Sequence, residues 1–447
     1  MAHTYDLAVL GAGPACGPAV RTCREAGMSV AVIEERFFGG VCPMTGCNPK
    51  KVLMAASEAI RAAETLQGKG LASLPNFDWA ALMRFKREFT EPIPDLVENA
   101  YWEMGVDTFH GRARFTGTNT LEVNGEIIEA KKCLIATGAR PRPLQFEGAG
   151  LVSSSDDFLD MDVLPRRIIF LGGGFISFEF ASLASRLGAK TAIVTHGDRA
   201  LRAFDPDMTE ILVGAMRASG TGVHFNAPAQ RVEERNGALV LTAGKDGEIV
   251  IEADMIVNGA GRVPNADAIG LEKAGVRFTN KGVTVDAYLR SVSNPNVYAA
   301  GDCADTPFAL TPAADMESAI IGRNIVKGDV ERADYSGVPS VCFSLPPLAA
   351  VGESEAALIA SGTGYEKRES DLARMFSWKR LGETPGAAKI LLDKADGRIL
   401  GAHMTGHDVQ ELINYFALAI RNGLTAAQLR ESVWAYPTSS YYVKKLC

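Results

Sequence analysis

The chain has 447 residues, 22% of them charged, with 46 Lys and Arg against 53 Asp and Glu and a formal net charge of −7. That balance excludes a basic nucleic-acid footprint, and no run of about 18 apolar residues is present to span a membrane. Eight cysteines in so long a chain are too few for a disulfide scaffold, so a cytoplasmic protein of two or three domains is expected, in which any disulfide would be catalytic rather than structural.

Met1 to Tyr5 lacks the charged start of a signal peptide and leads straight into a strand. Tyr5 to Leu10 reads as that strand, buried on both faces. The turn Gly11-Ala12-Gly13-Pro14-Ala15-Cys16-Gly17 follows, then a helix to Ala26. A second strand, Ser29 to Ile33, ends in Glu34-Glu35. This is the strand, glycine turn, helix, strand and acid order of a dinucleotide-binding unit. Gly11 and Gly13 let backbone amides approach a pyrophosphate at the helix N-terminus. Glu34 is placed to bind a ribose hydroxyl pair.

The next stretch, Gly39-Gly40-Val41-Cys42-Pro43-Met44-Thr45-Gly46-Cys47-Asn48-Pro49-Lys50-Lys51, holds two cysteines with four residues between them. In a regular helix their α-carbons would lie roughly 8 Å apart, whereas a disulfide needs about 4.4–6.8 Å. Pro43 and Gly46 break that regularity. Pro49 suits the first turn of a helix running from Lys50 to Ala63. Cys47 then lies near a helix N-terminus beside Lys50, where a thiolate is stabilised. Spacing alone leaves open a reactive pair or two separate buried thiols. No nearby Cys or His pair completes a zinc site, and no resident metal is expected.

A second glycine turn occurs later. Arg167 to Leu171 is a strand, followed by Gly172-Gly173-Gly174-Phe175-Ile176-Ser177, a helix to about Leu187 and a strand from Thr191 to Thr195. That strand ends in Thr195-His196-Gly197-Asp198-Arg199, with Arg202 beyond. A carboxylate at the strand end would repel a 2′-phosphate, whereas His196, Arg199 and Arg202 could bind one. NADP is therefore expected over NAD. Two nucleotide folds imply two nucleotides, one of them a flavin.

At this point the sequence resembles the class I pyridine nucleotide-disulfide oxidoreductases, in their glutathione-reductase-like branch. The resemblance covers essentially the whole chain. Beyond the two turns and the cysteine pair, it rests on Ala136-Thr137-Gly138-Ala139-Arg140-Pro141 and Gly259-Ala260-Gly261-Arg262-Val263-Pro264-Asn265. It also rests on Val297-Tyr298-Ala299-Ala300-Gly301-Asp302-Cys303 and Leu310-Thr311-Pro312. It implies an α/β fold of two Rossmann-like dinucleotide-binding domains plus a C-terminal α+β dimerisation domain. The expected division is 1–150 and 266–334 for FAD, 151–265 for NADP and 335–447 for the interface of a homodimer.

The resemblance also implies roles. Cys47 would be the thiol beside the flavin and Cys42 the interchange thiol that attacks substrate. Lys50 and Glu179 would form a pair near the flavin and nicotinamide, with Phe175 as a gating ring. FAD contacts are implied at Gly11, Gly13, Pro14, Ala15, Glu34, Gly40, Val41, Cys42, Ala113, Thr137, Gly138, Asp302, Leu310 and Thr311. NADP contacts are implied at Gly172, Gly174, Phe175, Ile176, His196, Arg199, Arg202 and Gly261.

One departure stands out. The family's disulfide reductases carry His-Pro-Thr-x-x-Glu near the C-terminus, the histidine being the acid–base for thiol exchange. This chain reads Tyr436-Pro437-Thr438-Ser439-Ser440-Tyr441. A phenol, with an ordinary pKa near 10, donates a proton but is a poor base at neutral pH. His403 and His407 merely precede an interface helix, and Cys447 reads as a frayed terminal thiol. The expected activity is NADPH reduction of the Cys42–Cys47 disulfide by way of FAD, and then of a disulfide-type substrate. The alternatives are reduction of a metal ion, quinone or oxygen by the same core, or a slow redox sensor.

Overall fold

The computed structural model describes residues 3–447. They form two compact units, each gathered from separate pieces of chain. The first takes the residues up to Val52, Arg84–Arg142 and Arg262–Tyr335, and the second takes Leu53–Met83, Pro143–Gly261 and Ser336–Cys447.

The first unit is built on a parallel sheet in the order Asp107–His110, Val30–Glu34, His3–Leu10 and Glu126–Ile135. Val297–Ala299 also runs parallel to Glu126–Ile135. Thr120–Val123 and Arg114–Phe115 continue the other edge antiparallel. The first strand begins earlier than its pattern predicts, at His3, and the second reaches Glu34. Both ends find ladder partners there, His3 opposite Ile128 and Glu34 opposite His110. The Gly17–Glu25 helix packs on the Thr311–Lys327 helix, where the Ala19 amide donates to Ser318 Oγ at 3.0 Å. Gly322 permits that crossing, because a Cβ there would lie 2.9 Å from Thr22 Cβ.

The second unit repeats the nucleotide-binding pattern with strands Gly222–His224, Lys190–Val194, Arg167–Leu171 and Met255–Asn258, all parallel. The repetition extends to single atoms. The Gly11 amide donates to the Ile33 carbonyl at 2.7 Å, and the Gly172 amide to the Val194 carbonyl at 2.8 Å. Gly11 has φ +102° and Gly172 φ +113°. A Cβ on either would lie 2.3 Å from a carbonyl oxygen, that of Ala136 or of Gly259, so both turns require glycine. In this register Thr195 occupies the place that Glu34 holds in the first unit.

The same unit carries a meander of Ala229–Arg235, Ala238–Ala243 and Ile249–Ala253. It also carries a five-stranded antiparallel sheet in the order Ser340–Cys342, Leu348–Gly352, Ile399–Thr405, Ala387–Asp393, Tyr365–Asp371. The Val409–Arg421 helix lays its buried face, Leu412, Ile413 and Phe416, into the core with Val351, Ile390 and Met404.

Candidate active site

The cysteine segment is a short helix, Val41–Thr45, then Gly46, then a long helix, Cys47–Leu66. The long helix starts before the predicted Lys50 because Pro49 falls within its first turn, where no amide is needed. Gly46 takes φ −140° and ψ −115°, which interrupts the helical path. A Cβ there would lie 2.8 Å from the Val41 carbonyl oxygen, so the break needs glycine. It draws Cys42 and Cys47 into hydrogen-bonding contact. No disulfide joins them, and Cys42 is half-buried while Cys47 is exposed. Thr311 Oγ1 lies 3.9 Å from Cys47 Sγ and also hydrogen-bonds Cys42. The Cys42 thiol is held far above the ordinary thiol range, first by its bond with Cys47 and then by burial.

The nucleotide turn of the same unit lies against this segment. A Cβ on Gly40 would sit 2.5 Å from the Gly13 α-carbon, and one on Gly301 would sit 3.2 Å from Ala15 Cβ. Glu34 Oε2 accepts from the Ala12 amide at 2.8 Å, fixing a carboxylate beside the turn. Thr137 and Gly138 are clamped by Asn265. The Thr137 hydroxyl donates to the Asn265 carbonyl at 2.6 Å, Asn265 Nδ2 donates to the Thr137 carbonyl at 2.9 Å, and the Asn265 amide reaches the Gly138 carbonyl. The Asp302 carboxyl is pushed up by burial, against the pull of the Arg262 charge. Val41 opens the short helix and Pro14 closes on Gly40. Ala113 is buried, Leu310 caps the Thr311–Lys327 helix, and Lys50 is buried on the long helix. A glycine turn at a helix N-terminus, a strand-end acid and a half-buried aspartate fit a dinucleotide.

In the second unit Gly172 and Gly174 open the Phe175–Arg186 helix, with Phe175 half-exposed at its start and Ile176 next. Glu179 is buried, and its carboxylate accepts from the Phe343 amide at 2.7 Å. His196 is exposed. Arg199 donates to the carbonyls of Arg202 and Phe204, at 2.9 and 3.1 Å, bracing its own turn. Arg202 pairs with Asp198 at 2.5 Å, so part of its charge is already neutralised. Gly261 takes φ +106° at the end of this piece.

The C-terminal frame is aromatic. The rings of Tyr436 and Tyr441 meet edge to face at 4.8 Å, Phe376 lies 6.5 Å from Tyr436, and Lys444 Nζ lies 3.9 Å from the Tyr441 ring centre. Tyr436 is exposed. The expectation that Cys447 frays is corrected: it is buried beside Leu446, its carbonyl accepts from Arg430 at 3.2 Å, and burial pushes its thiol up to about 12.

Two acids escaped the sequence reading. Glu317 is wholly buried and receives the Gly301 amide and the Tyr335 hydroxyl, both at 2.7 Å, next to Asp302. Nothing in the sequence sets it apart, because its helix also carries Asp315, Arg323 and Lys327. Asp408 takes φ +63°, which costs an L-residue roughly 1–2 kcal/mol. Its carboxylate accepts from Ser439 Oγ at 2.6 Å and lies 3.2 Å from His407 Nε2. His407 therefore belongs to the C-terminal frame, although the sequence placed it only before a helix.

Two family models match the chain: "Pyridine nucleotide-disulphide oxidoreductase" over residues 5–318, and the dimerisation domain of the same name over residues 338–447. A glutathione reductase of Burkholderia cepacia is 33% identical over 440 residues, covering 98% of this chain and 97% of that protein. A mercuric reductase of Streptomyces lividans is 31% identical over 460 residues, covering 99% and 96%. The Cu(II) complex of the HOCl-induced flavoprotein disulfide reductase RclA from Escherichia coli superposes with a TM-score of 0.89 at 24% identity, covering 99% of both chains.

Proposed function

The chain belongs to the pyridine nucleotide-disulphide oxidoreductase family, and on that premise we propose an FAD-containing, NADPH-dependent enzyme whose Cys42–Cys47 pair reduces a disulfide-type substrate. The observation that carries this reading is the cysteine pair itself. The Gly46 break brings the two thiols into hydrogen-bonding contact, beside a glycine turn suited to a dinucleotide.

Gly11, Gly13, Pro14 and Ala15 would hold the FAD pyrophosphate and Glu34 a ribose. Asp302, Thr137, Gly138 and Ala113 would hold further parts of the chain, with Gly40, Val41, Leu310 and Thr311 towards the ring. When bound, FAD supplies two-electron transfer between nicotinamide and the cysteine pair. Gly172, Gly174, Phe175, Ile176 and Gly261 would hold the nicotinamide nucleotide, with Lys50 and Glu179 serving hydride transfer. The preference for NADP rests on Thr195 in place of an acid, and on His196 and Arg199; Arg202 supports it less, because Asp198 already pairs with it. The reading also takes residues 335–447 as the interface of a cytoplasmic homodimer, with FAD on 1–150 and 266–334 and NADP on 151–265. No helix among the described residues is long and apolar enough to cross a membrane.

In the exchange step Cys42 sulfur attacks one sulfur of the substrate disulfide, forming a mixed disulfide and releasing one substrate thiol. Cys47 then attacks Cys42 sulfur, releasing the second thiol and closing the Cys42–Cys47 bond. NADPH oxidation should be measured against a panel of disulfides, metal ions and quinones. Stoichiometric thiol release with a disulfide supports the reading, and slow turnover with every acceptor would mark a sensor.

Tyr436 and Tyr441 favour a second reading, in which the same core reduces a metal ion, quinone or oxygen. That chemistry has no departing substrate thiolate to protonate. The similarity to a mercuric reductase supports keeping metal ions in the panel.

A further inference from the structure

We propose that Lys389 is a positioning residue for the nucleotide turn at His196–Arg202, holding the end of that turn from the five-stranded sheet and so setting the affinity for a 2′-phosphate. This rests on the NADP reading above.

The tie runs through contacts inside the second compact unit. Lys389 lies on the Ala387–Asp393 strand, 184 positions along the chain from Asp205. Its side chain is 1% exposed and that of Asp205 2%. Lys389 Nζ donates to both Asp205 oxygens, at 3.1 and 2.9 Å, and to Asp207 Oδ2 at 2.5 Å. Glu355 Oε2 lies 3.3 Å away, at the start of the Glu355–Ser361 helix. Asp205 Oδ1 meanwhile accepts from the Asp207 and Met208 amides, at 3.1 and 3.2 Å, and so caps the Pro206–Ala218 helix. Asp205 is thus fixed twice, by its own helix and by a strand of another sheet. A helix cap needs only the aspartate. The buried cation costs desolvation that the cap does not require; what it adds is a fixed spacing between the sheet and the end of the turn.

From Asp205 back to the glycine turn the path is short. Arg199 donates to the Phe204 carbonyl, one residue before Asp205, at 3.1 Å, and to the Arg202 carbonyl at 2.9 Å. The Phe204 amide donates to the Leu201 carbonyl and the Leu201 amide to the Gly173 carbonyl, both at 2.8 Å. Gly173 is the middle residue of the glycine turn. Leu201 is buried and holds φ +45°, a conformation that L-residues keep only where surroundings impose it. The start of the segment is pinned separately, because the Asn226 amide donates to the Gly197 carbonyl at 2.8 Å. The Arg199 guanidinium is therefore slung between the glycine turn at one end and Lys389 at the other. Without the lysine the Phe204–Asp205 end loses its anchor in the sheet, and Arg199 loses its fixed aim. A nucleotide with a 2′-phosphate registers that loss. One without the phosphate does not contact the guanidinium through it.

The test uses the full-length, flavin-loaded, oxidised protein, with NADP+ and NAD+ as probes and calorimetric dissociation constants as the readout. The variant is Lys389→Met combined with Asp205→Asn, which keeps a capping side chain and leaves no carboxylate buried alone at that position. NADP+ should bind it roughly tenfold more weakly, the equivalent of one lost hydrogen bond to a charged group, while NAD+ binding should hardly change. The weak NADP+ binding should persist although the double variant regains stability over Lys389→Met; a merely structural role would restore affinity and stability together. Amide hydrogen exchange gives a readout without any nucleotide. The peptide spanning residues 198–204 should exchange faster in the double variant, with the peptide spanning residues 5–15 unchanged. Wild-type exchange at 198–204, or equal losses for NADP+ and NAD+, overturns the proposal. Wild type binding NAD+ as tightly as NADP+ would overturn the NADP reading instead, and exchange at 198–204 would still decide whether Lys389 holds the turn.

Discussion

Gly40 and Gly13 touch through bare backbone: a Cβ on Gly40 would lie 2.5 Å from the Gly13 α-carbon. The loop leading into the cysteines is thereby laid on the turn that would receive a pyrophosphate. Gly40 also has φ +73°, where alanine is strained by roughly 1–2 kcal/mol. Gly40→Ala should therefore lose flavin during purification and lose at least that much stability. The flavin-to-protein absorbance ratio and a urea midpoint measure both, and wild-type values for the two together would refute the argument.

The cysteines carry opposite roles. Anaerobic two-electron reduction should produce a long-wavelength absorbance band from a Cys47 thiolate against oxidised flavin. Cys42→Ser should retain the band, since it leaves Cys47 in place with no thiol partner to close a disulfide. Cys47→Ser should lack it. A band that survives in Cys47→Ser reverses the assignment.

Lys389 is 1% exposed, and its ammonium meets Asp205 at 2.9 Å, Asp207 at 2.5 Å and Glu355 at 3.3 Å. Burial alone would lower its pKa, yet the bonds to Asp207 and Asp205 outweigh burial and raise it. Asp205 is also the N-cap of the Pro206–Ala218 helix, which follows directly on the His196–Arg202 turn. Lys389→Met leaves the buried Asp205 carboxylate without its cation, a loss of about 3–5 kcal/mol. Lys389→Met with Asp205→Asn should recover part of it. Denaturant midpoints decide, and a single variant as stable as wild type would show that the cluster contributes nothing.

His403 sets a pH limit. It is buried, its Nδ1 has no partner, and its Nε2 faces the Glu353 carbonyl at 3.0 Å. Burial lowers its pKa from 6.5, assisted by Lys389 and opposed by the Glu353 bond and the charges of Asp205 and Glu355. The unfolded chain therefore binds the proton more tightly than the folded one. This contribution to stability is whole above the unfolded pKa and is lost as pH falls from there through the lower folded value. Unfolding midpoints between about pH 8 and pH 5 should drop in wild type and drop less in His403→Gln. Parallel curves would exclude His403 as the cause.

The nucleotide turns and the cysteine segment were legible because each is a local pattern: glycines at fixed offsets and a prolyl turn. What the sequence hid were side chains whose partners lie far along the chain. Glu317 serves Gly301 from a helix in which it is one charged residue among four. Asp408 finds Ser439 across 31 residues. Cys447 read as a loose end because terminal position says nothing of packing. It is instead fixed by Arg430 and by the apolar cluster around Leu446.

The tyrosines of the C-terminal frame yield the last expectation. Tyr436 and Tyr441 retain possible proton donors but remove the base of the histidine–glutamate pair. Acid–base assistance is typically worth ~10²–10⁴-fold in a step that moves a proton. Flavin reduction by NADPH does not depend on this frame and should be fast. Reoxidation by glutathione disulfide should be slower, since the frame holds tyrosines where a base would stand. Rapid mixing separates the two phases. Tyr436→His combined with Tyr441→Glu should speed the disulfide phase and leave flavin reduction unchanged. Should glutathione disulfide reoxidise wild type as quickly as NADPH reduces it, the substitution of Tyr436 would impose no cost on exchange. That outcome would overturn the argument from Tyr436.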